Sequence, residues 1–360
     1  MATQLDKILA SKAMGVIQKK FGDAILRKAS DFGVAKLNRI PSGIFALDYA
    51  LGGGFPVGRI NVLWGAKSAA KTTTFLKALA NATKQCASCW KFAPCSCKAY
   101  REPAIAFLDV EGTLDIPWAA RMGLHPDKYL LSIPEYAEQT LDIAEALLLT
   151  EGGCDILVID SLAFLTPMKE IEKSVAEDTV GLQARQLGKG IRKFTSAVNK
   201  RRNLTGQGPT LFFTNQIRMK VGVMFGSPET TPGGLAPGYA STTETKMNTG
   251  KYEMDEVLGT PLTATFPFRV EKNKSAAAKM EGDFVLILAD TDNRKVGDAY
   301  NEGEMIKRAE QFGLVSGAGS KWEAMGQHFK AKSLVEKELL ENPEFYTKMH
   351  AAIMSLLTDG

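Results

Sequence analysis

No stretch of this sequence approaches the roughly 20 consecutive apolar residues that a membrane-spanning helix needs, and its first residues lack the uncharged apolar run of a secretory signal. A large excess of one charge sign is absent too: 44 Lys and Arg stand against 40 Asp and Glu, a net charge of +4. That balance excludes long-range attraction of nucleic acid by the whole chain. Any such binding has to come from local loops and grooves. Histidine is scarce, with only His125, His328 and His350. Neither an internal repeat nor a low-complexity tract is present. With no export signal, the five cysteines are read as thiols of a reducing compartment, and the expected location is the cytoplasm, with no membrane partner. What is present is the composition of an ordinary globular protein, 45% apolar and 23% charged over 360 residues. That is enough for one large α/β core with smaller appendages.

Apolar residues Leu5, Ile8, Leu9, Val16, Ile17 and Phe21 recur at helical spacing, and Gly22 stops the pattern. This helix either packs on its own core or docks on a neighbouring subunit. From about residue 40 the pattern changes to short aliphatic runs separated by glycine turns and helices. Arg59 to Leu63, Ala104 to Val110, Asp155 to Ile159, Thr210 to Thr214 and Phe284 to Leu288 read as buried strands. Thr72 to Lys84, Ala137 to Leu149 and Val180 to Lys200 read as helices. The alternation implies a mostly parallel twisted sheet with helices on both faces, whose ligands bind at the carboxyl ends of the strands. Beyond Asp290 a smaller region begins, and Asn342 and Pro343 open a last helix running to about Leu357. The expected division is an N-terminal helical segment 1–36, a core 37–290 and a small α/β C-terminal domain 291–360.

Gly65, Ala66, Lys67, Ser68, Ala69, Ala70, Lys71, Thr72 and Thr73 follow a strand and open a helix. Backbone N–H groups and a helix N-terminus at such a place cradle phosphate. Lys71 would reach the outer phosphates of ATP, and the Thr72 hydroxyl would ligate Mg2+. Ala70 stands where glycine is usual, and a positive φ there would cost on the order of 1 kcal/mol. The run Asp155 to Ile159 ends in Asp160, placed to hold Mg2+ as the loop's partner, although a strand-end Asp also serves as a turn cap. Another strand ends in Asp109 and Glu111. Glu111 would take a proton from the water that attacks the γ-phosphate, and Asp109 is read as structural. Asp115 and Trp118 would reach the adenine ring, with plain packing of Trp118 the alternative.

Cys86, Cys89, Cys95 and Cys97 form C-x2-C-x5-C-x-C within an insertion at 86–97. Four thiolates so close suit a tetrahedral zinc knuckle, with free thiols or a redox pair as alternatives. Lys84, Lys91, Lys98 and Arg101 surround it. Cys154 begins a buried strand and is read as core.

Taken together, these motifs resemble those of the bacterial RecA recombinases. The likeness continues in Asn215-Gln216-Ile217-Arg218-Met219-Lys220, Gly222-Val223-Met224-Phe225-Gly226, Pro228-Glu229-Thr230-Thr231 and Gly233-Gly234, which look like the family's second DNA-binding loop. Thr166 to Glu172, continued by Gly181 to Arg185 and Arg192-Lys193, is similar to the first loop and the helix after it. The resemblance implies a RecA-like P-loop ATPase core and an ATP-dependent, DNA-stimulated recombinase. Such a protein forms a helical filament of its own copies on single-stranded DNA and pairs it with homologous double-stranded DNA. It implies that Lys71, Glu111, Asp160 and Gln216 are catalytic, with Gln216 sensing the γ-phosphate, and that Lys272 and Lys274 reach ATP on the neighbouring subunit. The two lysines read without the resemblance are a solvated turn. Arg185, Arg192 and Arg218 would pair with DNA phosphates, Val223, Met224 and Phe225 would wedge against bases, and the loop's Gly222, Gly226, Glu229, Thr230, Gly233 and Gly234 would line the strand. Leu235 to Tyr239 departs from the family pattern, in which a lysine and an aromatic couple adjacent subunits, so the resemblance does not set the strength of cooperativity here. A ring helicase motor on the same core, or a coat protein that binds ATP and barely hydrolyses it, are the competing readings.

Overall fold

Four runs rich in Ile, Leu, Val and Phe set the architecture, because each is buried along almost its whole length and needs apolar cover on both sides. In this computed structural model, residues 3–22, 26, 28, 37–150, 152–172, 181–219 and 229–359 are described. The readings made for Lys220 and for Gly222, Val223, Met224, Phe225, Gly226 and Pro228 lie outside them.

The expected N-terminal helix is two helices, α1 (Gln4–Leu9) and α2 (Lys12–Phe21). Ser11 divides them, because its hydroxyl accepts from the Met14 N–H at 3.3 Å and so starts a new helix. Apolar periodicity runs through the break unaltered, which is why it does not show in the pattern. The chain continues through β1 (Arg39–Ile40), α3 (Phe45–Leu51), β2 (Phe55–Pro56), β3 (Ile60–Gly65), α4 (Lys71–Ala82), β4 (Ile105–Asp109), α5 (Ile116–Arg121), β5 (Leu130–Ser132) and α6 (Ala137–Leu149). Next come β6 (Ile156–Asp160), α7 (Met168–Ile171), α8 (Leu182–Thr205), β7 (Thr210–Gln216), β8 (Arg218–Met219), β9 (Glu229–Thr230), α9 (Ala236–Ala240), β10 (Thr243–Met247) and β11 (Lys251–Met254). The last elements are β12 (Pro261–Asn273), β13 (Glu281–Ile287), β14 (Ala299–Tyr300), α10 (Glu302–Gln311), β15 (Val315–Ala318), β16 (Lys321–Ala324), β17 (Gln327–Phe329), α11 (Lys332–Glu341) and α12 (Pro343–Asp359). Helix α8 outruns its expected end at Lys200 and stops where Gly206, at φ +80°, donates its N–H to the Arg202 carbonyl.

The central sheet runs β14-β13-β12-β10-β3-β7-β6-β4-β5, with β11 paired to β12. From β10 to β5 all pairings are parallel, and β11 to β14 extend the sheet antiparallel. Alternation along β7 shows how both faces are covered. Phe212 points to the side of α4 and packs its ring against Phe75 and Phe55 at 4.7 and 5.2 Å. Leu211 and Phe213 point to the side of α6 and α8, among Leu148, Ile191 and Phe194. A third apolar cluster joins Phe45 and Tyr49 of α3 to Met305, Ile306, Val335, Leu339, Phe345 and Ile353. There α10, α11 and α12 pack around the antiparallel sheet β15-β16-β17. Asn342 caps α12, its side-chain oxygen accepting the Glu344 and Phe345 N–H groups at 3.1 Å each.

Parallel register aligns the strand ends that matter. Gly65 lies beside Gln216, and Asp109 beside Asp160. Four sequence-distant segments thus end along one edge.

Candidate functional site

The loop from Gly65 to Ala70 leaves β3 and enters α4 with two non-glycine residues in the left-handed region, Ser68 at φ 57° and Ala70 at φ 56°. Gly65 is required by space, since a Cβ there would sit 1.9 Å from the Met247 carbonyl oxygen of β10. Ala70 occupies the N-cap of α4. The Ala70→Gly variant removes about 1 kcal/mol of left-handed strain, offset in part by the greater freedom of glycine in the unfolded chain. Its thermal midpoint is expected to rise by about 1–2 °C. A fall on calorimetry would show that the alanine methyl contributes packing that outweighs its strain.

Lys71 opens α4 and turns its ammonium back onto the loop, donating to the carbonyls of Ala66 at 2.6 Å and Gly65 at 3.3 Å. Burial lowers its pKa, while the charges of Asp160 and Glu111 oppose the shift. Thr72 follows, and its hydroxyl donates to Asp160 Oδ2 at 2.6 Å. The other oxygen of Asp160 accepts from the Thr214 hydroxyl of β7. Burial pushes the Asp160 carboxyl up, the two hydroxyls hold it down, and nearby Glu111 and Asp109 raise it further.

Glu111 lies just beyond β4. Its Oε1 accepts from Ser161 Oγ at 2.5 Å and from Gln216 Nε2 at 3.2 Å. The structure therefore brings together Lys71, Thr72, Glu111, Asp160 and Gln216. They line one cavity of about 310 Å³, whose other walls are Lys67 to Ala70, Thr73, Trp118, Tyr252, Phe266, Leu286 and Leu288. Asp109 accepts the N–H groups of Gly112 and Leu114 at 3.0 and 2.8 Å, which shapes the turn carrying Glu111. Asp115 caps α5 through the Trp118 N–H at 2.9 Å, and the Trp118 indole N–H donates to Thr73 Oγ1 at 3.3 Å. The carboxylate of Asp115 is thus engaged in the cap, and Trp118 is the member of the pair that reaches the cavity. Sequence reading missed Thr214, Ser161 and Tyr252. The first two adjoin motif residues at strand ends, a usable signal, but an aromatic on an edge strand carries none.

Lys272 and Lys274 sit elsewhere. Lys272 pairs in register with Glu244, which lies beside Val62, so both lysines are toward the amino end of β3 and away from Gly65. The Lys272 ammonium donates to the carbonyls of Gly238 and Tyr239 at 2.5 and 3.2 Å. Neither lysine lines the cavity of its own chain.

Arg185 and Arg192 are exposed on α8, and Arg218 is exposed on β8. Strands β8 and β9 pair antiparallel, Arg218 with Thr230 and Met219 with Glu229. Glu229 accepts from Lys246 Nζ at 2.6 Å. Gly233, at φ +84°, is pressed so close to α8 that a Cβ would lie 2.1 Å from Leu187 Cδ2, and Gly234 follows at φ +72°. Asn215, buried at the end of β7, donates to the Pro232 carbonyl at 3.1 Å. Residues flanking the second loop are thereby tied to the strand end that bears Gln216.

In the insertion, the thiols of Cys86, Cys89 and Cys95 lie within 4.8 Å of one another, and Cys97 contacts Cys86. All are unpaired in disulfides. The backbone turns sharply there, with the Trp90 N–H donating to the Cys86 carbonyl at 2.6 Å and the Cys86 N–H to Lys91 at 2.9 Å. Burial raises the Cys86 thiol, but N–H groups of Arg101, Ser88 and Cys89 aimed at it hold it down to about 6. Cys154 is buried away from this cluster, and burial pushes its thiol up to about 12.

Comparison with known proteins agrees with this geometry. The family model of the RecA N-terminal domain matches residues 7–291. Protein RecA of Acinetobacter baylyi is 36% identical over 350 residues, 96% of this chain and 90% of that protein. Protein RecA of Francisella tularensis subsp. novicida is 35% identical over 358 residues, 98% and 90% of the two chains. Protein RecA of Leptospira meyeri is 35% identical over 348 residues, 96% and 81%. With a match of this extent laid over a phosphate loop, its carboxylates and the tethered strand ends, the chain belongs to the RecA family of recombinases.

Proposed function

We propose that this RecA-type recombinase binds ATP with Mg2+ at the cavity behind the phosphate loop and hydrolyses it when assembled as a helical filament on single-stranded DNA. The filament then pairs that strand with homologous duplex. One observation carries the reading: Glu111, the candidate base, is hydrogen-bonded to Gln216 on the strand that leads into the second DNA loop. A change at the nucleotide therefore has a mechanical route to the DNA side.

The residues fit Mg2+ and a nucleotide. Asp160 and Thr72 offer two hard oxygen donors side by side, which suits Mg2+. When bound, the cation neutralises charge on the phosphates. Lys71, now satisfied by loop carbonyls, exchanges those partners for phosphate oxygens. Glu111 accepts the proton of the attacking water, oriented by Ser161 and Gln216. Lys272 and Lys274 face away from this cavity, so any nucleotide they touch belongs to a neighbouring copy, and ATP then acts as a bond between subunits. Helices α1 and α2 leave Leu5, Ile8, Val16 and Phe21 exposed, an apolar face suited to that neighbour. Arg185, Arg192 and Arg218 take DNA phosphates, and Phe225 and its neighbours take bases. The division into segments 1–36, 37–290 and 291–360 remains our assignment. Among the described residues no helix is long and apolar enough to cross a membrane, and we assign the protein to the cytoplasm.

The cysteine cluster fits zinc: thiolate donors close together, with backbone N–H groups aimed at the sulfurs. A resident zinc would join the end of α4 to the start of β4 through Cys86, Cys89, Cys95 and Cys97.

Incubation with ATP, circular single strand and homologous linear duplex tests the function. Joint molecules and extended helical filaments by electron microscopy are expected. Closed hexameric rings without joint molecules would contradict it in favour of a helicase motor.

A further inference from the structure

We propose that Tyr252 is a nucleobase-binding residue that, with Trp118, closes a slot for the base of the bound nucleoside triphosphate. The inference rests on the phosphate-loop reading above and adds to it the other end of the ligand. The cavity is chemically two-ended. Lys71, Glu111, Asp160 and Gln216 make its polar end, and Trp118, Tyr252, Phe266, Leu286 and Leu288 its apolar end. A nucleoside triphosphate has the same polarity along its length, and the cavity's roughly 310 Å³ is of ligand size.

The placement of Tyr252 is fixed by its surroundings. Among the described residues strand β11 pairs only with β12, which puts Tyr252 opposite Ala264, a side chain too small to cover an aromatic ring. Phe266 meets the tyrosine edge-on at 6.4 Å and is itself stacked on Phe284 at 5.5 Å. Just before the strand, Gly250 lies so close to the Phe266 ring that a Cβ would approach it to 2.6 Å, which holds the backbone of this edge down on the core. Tyr252 is nevertheless 49% exposed, and its hydroxyl has no hydrogen-bond partner in the described protein. A tyrosine serving the fold alone would lay its ring over its cross-strand neighbours. This one is held by its edge and leaves ring surface open to the cavity.

Trp118 enters the same cavity from α5, its indole N–H fixed by Thr73 next to the phosphate loop. The two aromatic side chains come from separate parts of the fold, one beside α4 and one on the antiparallel extension of the sheet. Leu286 and Leu288 offer only aliphatic contact between them. Stacking on an aromatic face tolerates any base and gains most from the larger purines. The slot therefore favours purine over pyrimidine nucleotides through surface area, without a dedicated hydrogen bond.

The full-length protein with Mg2+ is titrated calorimetrically with ATP, UTP and inorganic tripolyphosphate, in parent, Tyr252→Ala, Tyr252→Phe and Lys71→Ala forms. Tyr252→Ala is expected to bind ATP about tenfold more weakly, to bind tripolyphosphate as the parent does, and to narrow the gap between ATP and UTP. Tyr252→Phe keeps the parent affinities. Unchanged ATP affinity in Tyr252→Ala overturns the inference, as does an equal loss for ATP and tripolyphosphate, which would mean a disturbed phosphate site. Lys71→Ala reports separately on the phosphate loop: it weakens both ligands if that reading stands and neither if it fails.

Discussion

Glu111→Gln is expected to retain MgATP while its DNA-stimulated turnover falls by about 10²–10⁴-fold, the usual contribution of a positioned general base. The substitution preserves size, and the glutamine oxygen still accepts from Ser161 and Gln216, which now donate to Glu111 Oε1. What is lost is a group able to take the proton of the attacking water. Binding should not suffer, because the Asp160 carboxyl, raised by burial, is raised further by the neighbouring Glu111 charge. Neutralising residue 111 relieves that repulsion and leaves Asp160 readier to meet Mg2+. Phosphate release and nucleotide affinity, measured on one preparation, check both halves. Turnover within a few-fold of the parent would remove Glu111 from the base role.

The second large effect concerns the metal. The purified chain is expected to carry one zinc, and either chelation or Cys86→Ser should lower the thermal midpoint by about 5–10 °C. The reason lies in how little else orders the insertion. Between residues 84 and 101 only Gln85, Cys86, Ala87 and Trp90 are buried. Trp90 plugs into the main core with its backbone at φ 55°. Arg101 clamps the far end, bonded to Asp155 at 2.5 and 2.7 Å. With Cys86 at the centre of the cluster, losing the metal frees the segment that anchors Trp90 beneath α4. Cys154→Ser is the control, since its thiol is buried apart from the others and should leave zinc content unchanged. A metal-free protein with an unaltered midpoint in Cys86→Ser would contradict the zinc assignment.

Much of this was legible in the residues. Buried parallel strands announce themselves as aliphatic runs, and a phosphate loop needs a fixed local spacing, so Lys71, Thr72, Glu111 and Asp160 could be named before their geometry was known, and Gln216 through the family resemblance. The cysteine spacing is local in the same way. Contacts made across strands were not legible. Thr214 reaches Asp160 over 54 residues of sequence, and Tyr252 reaches the cavity only because β11 folds back along β12. Within the antiparallel extension from β11 to β14 only the core of β13 was anticipated: β12 does alternate, burying Ala264, Phe266, Phe268 and Val270 between more exposed residues, but the short edge strands β11 and β14 carry no such pattern. The break at Ser11 escaped because a single cap divides two helices whose apolar periodicity agrees. Lys272 and Lys274 could be named as nucleotide residues only through the family resemblance. Their position at the opposite end of the strands shows why no pattern within one chain would have placed them.

The central claim is that nucleotide turnover answers to DNA. ATP hydrolysis should be measured with and without single-stranded DNA, with Lys71→Ala as the blank. Strong stimulation by the strand, abolished in Lys71→Ala, is the predicted result. DNA binding with no hydrolysis above the blank would contradict it, and would make this chain an ATP-gated coat in which the left-handed Ala70 has stilled the phosphate loop.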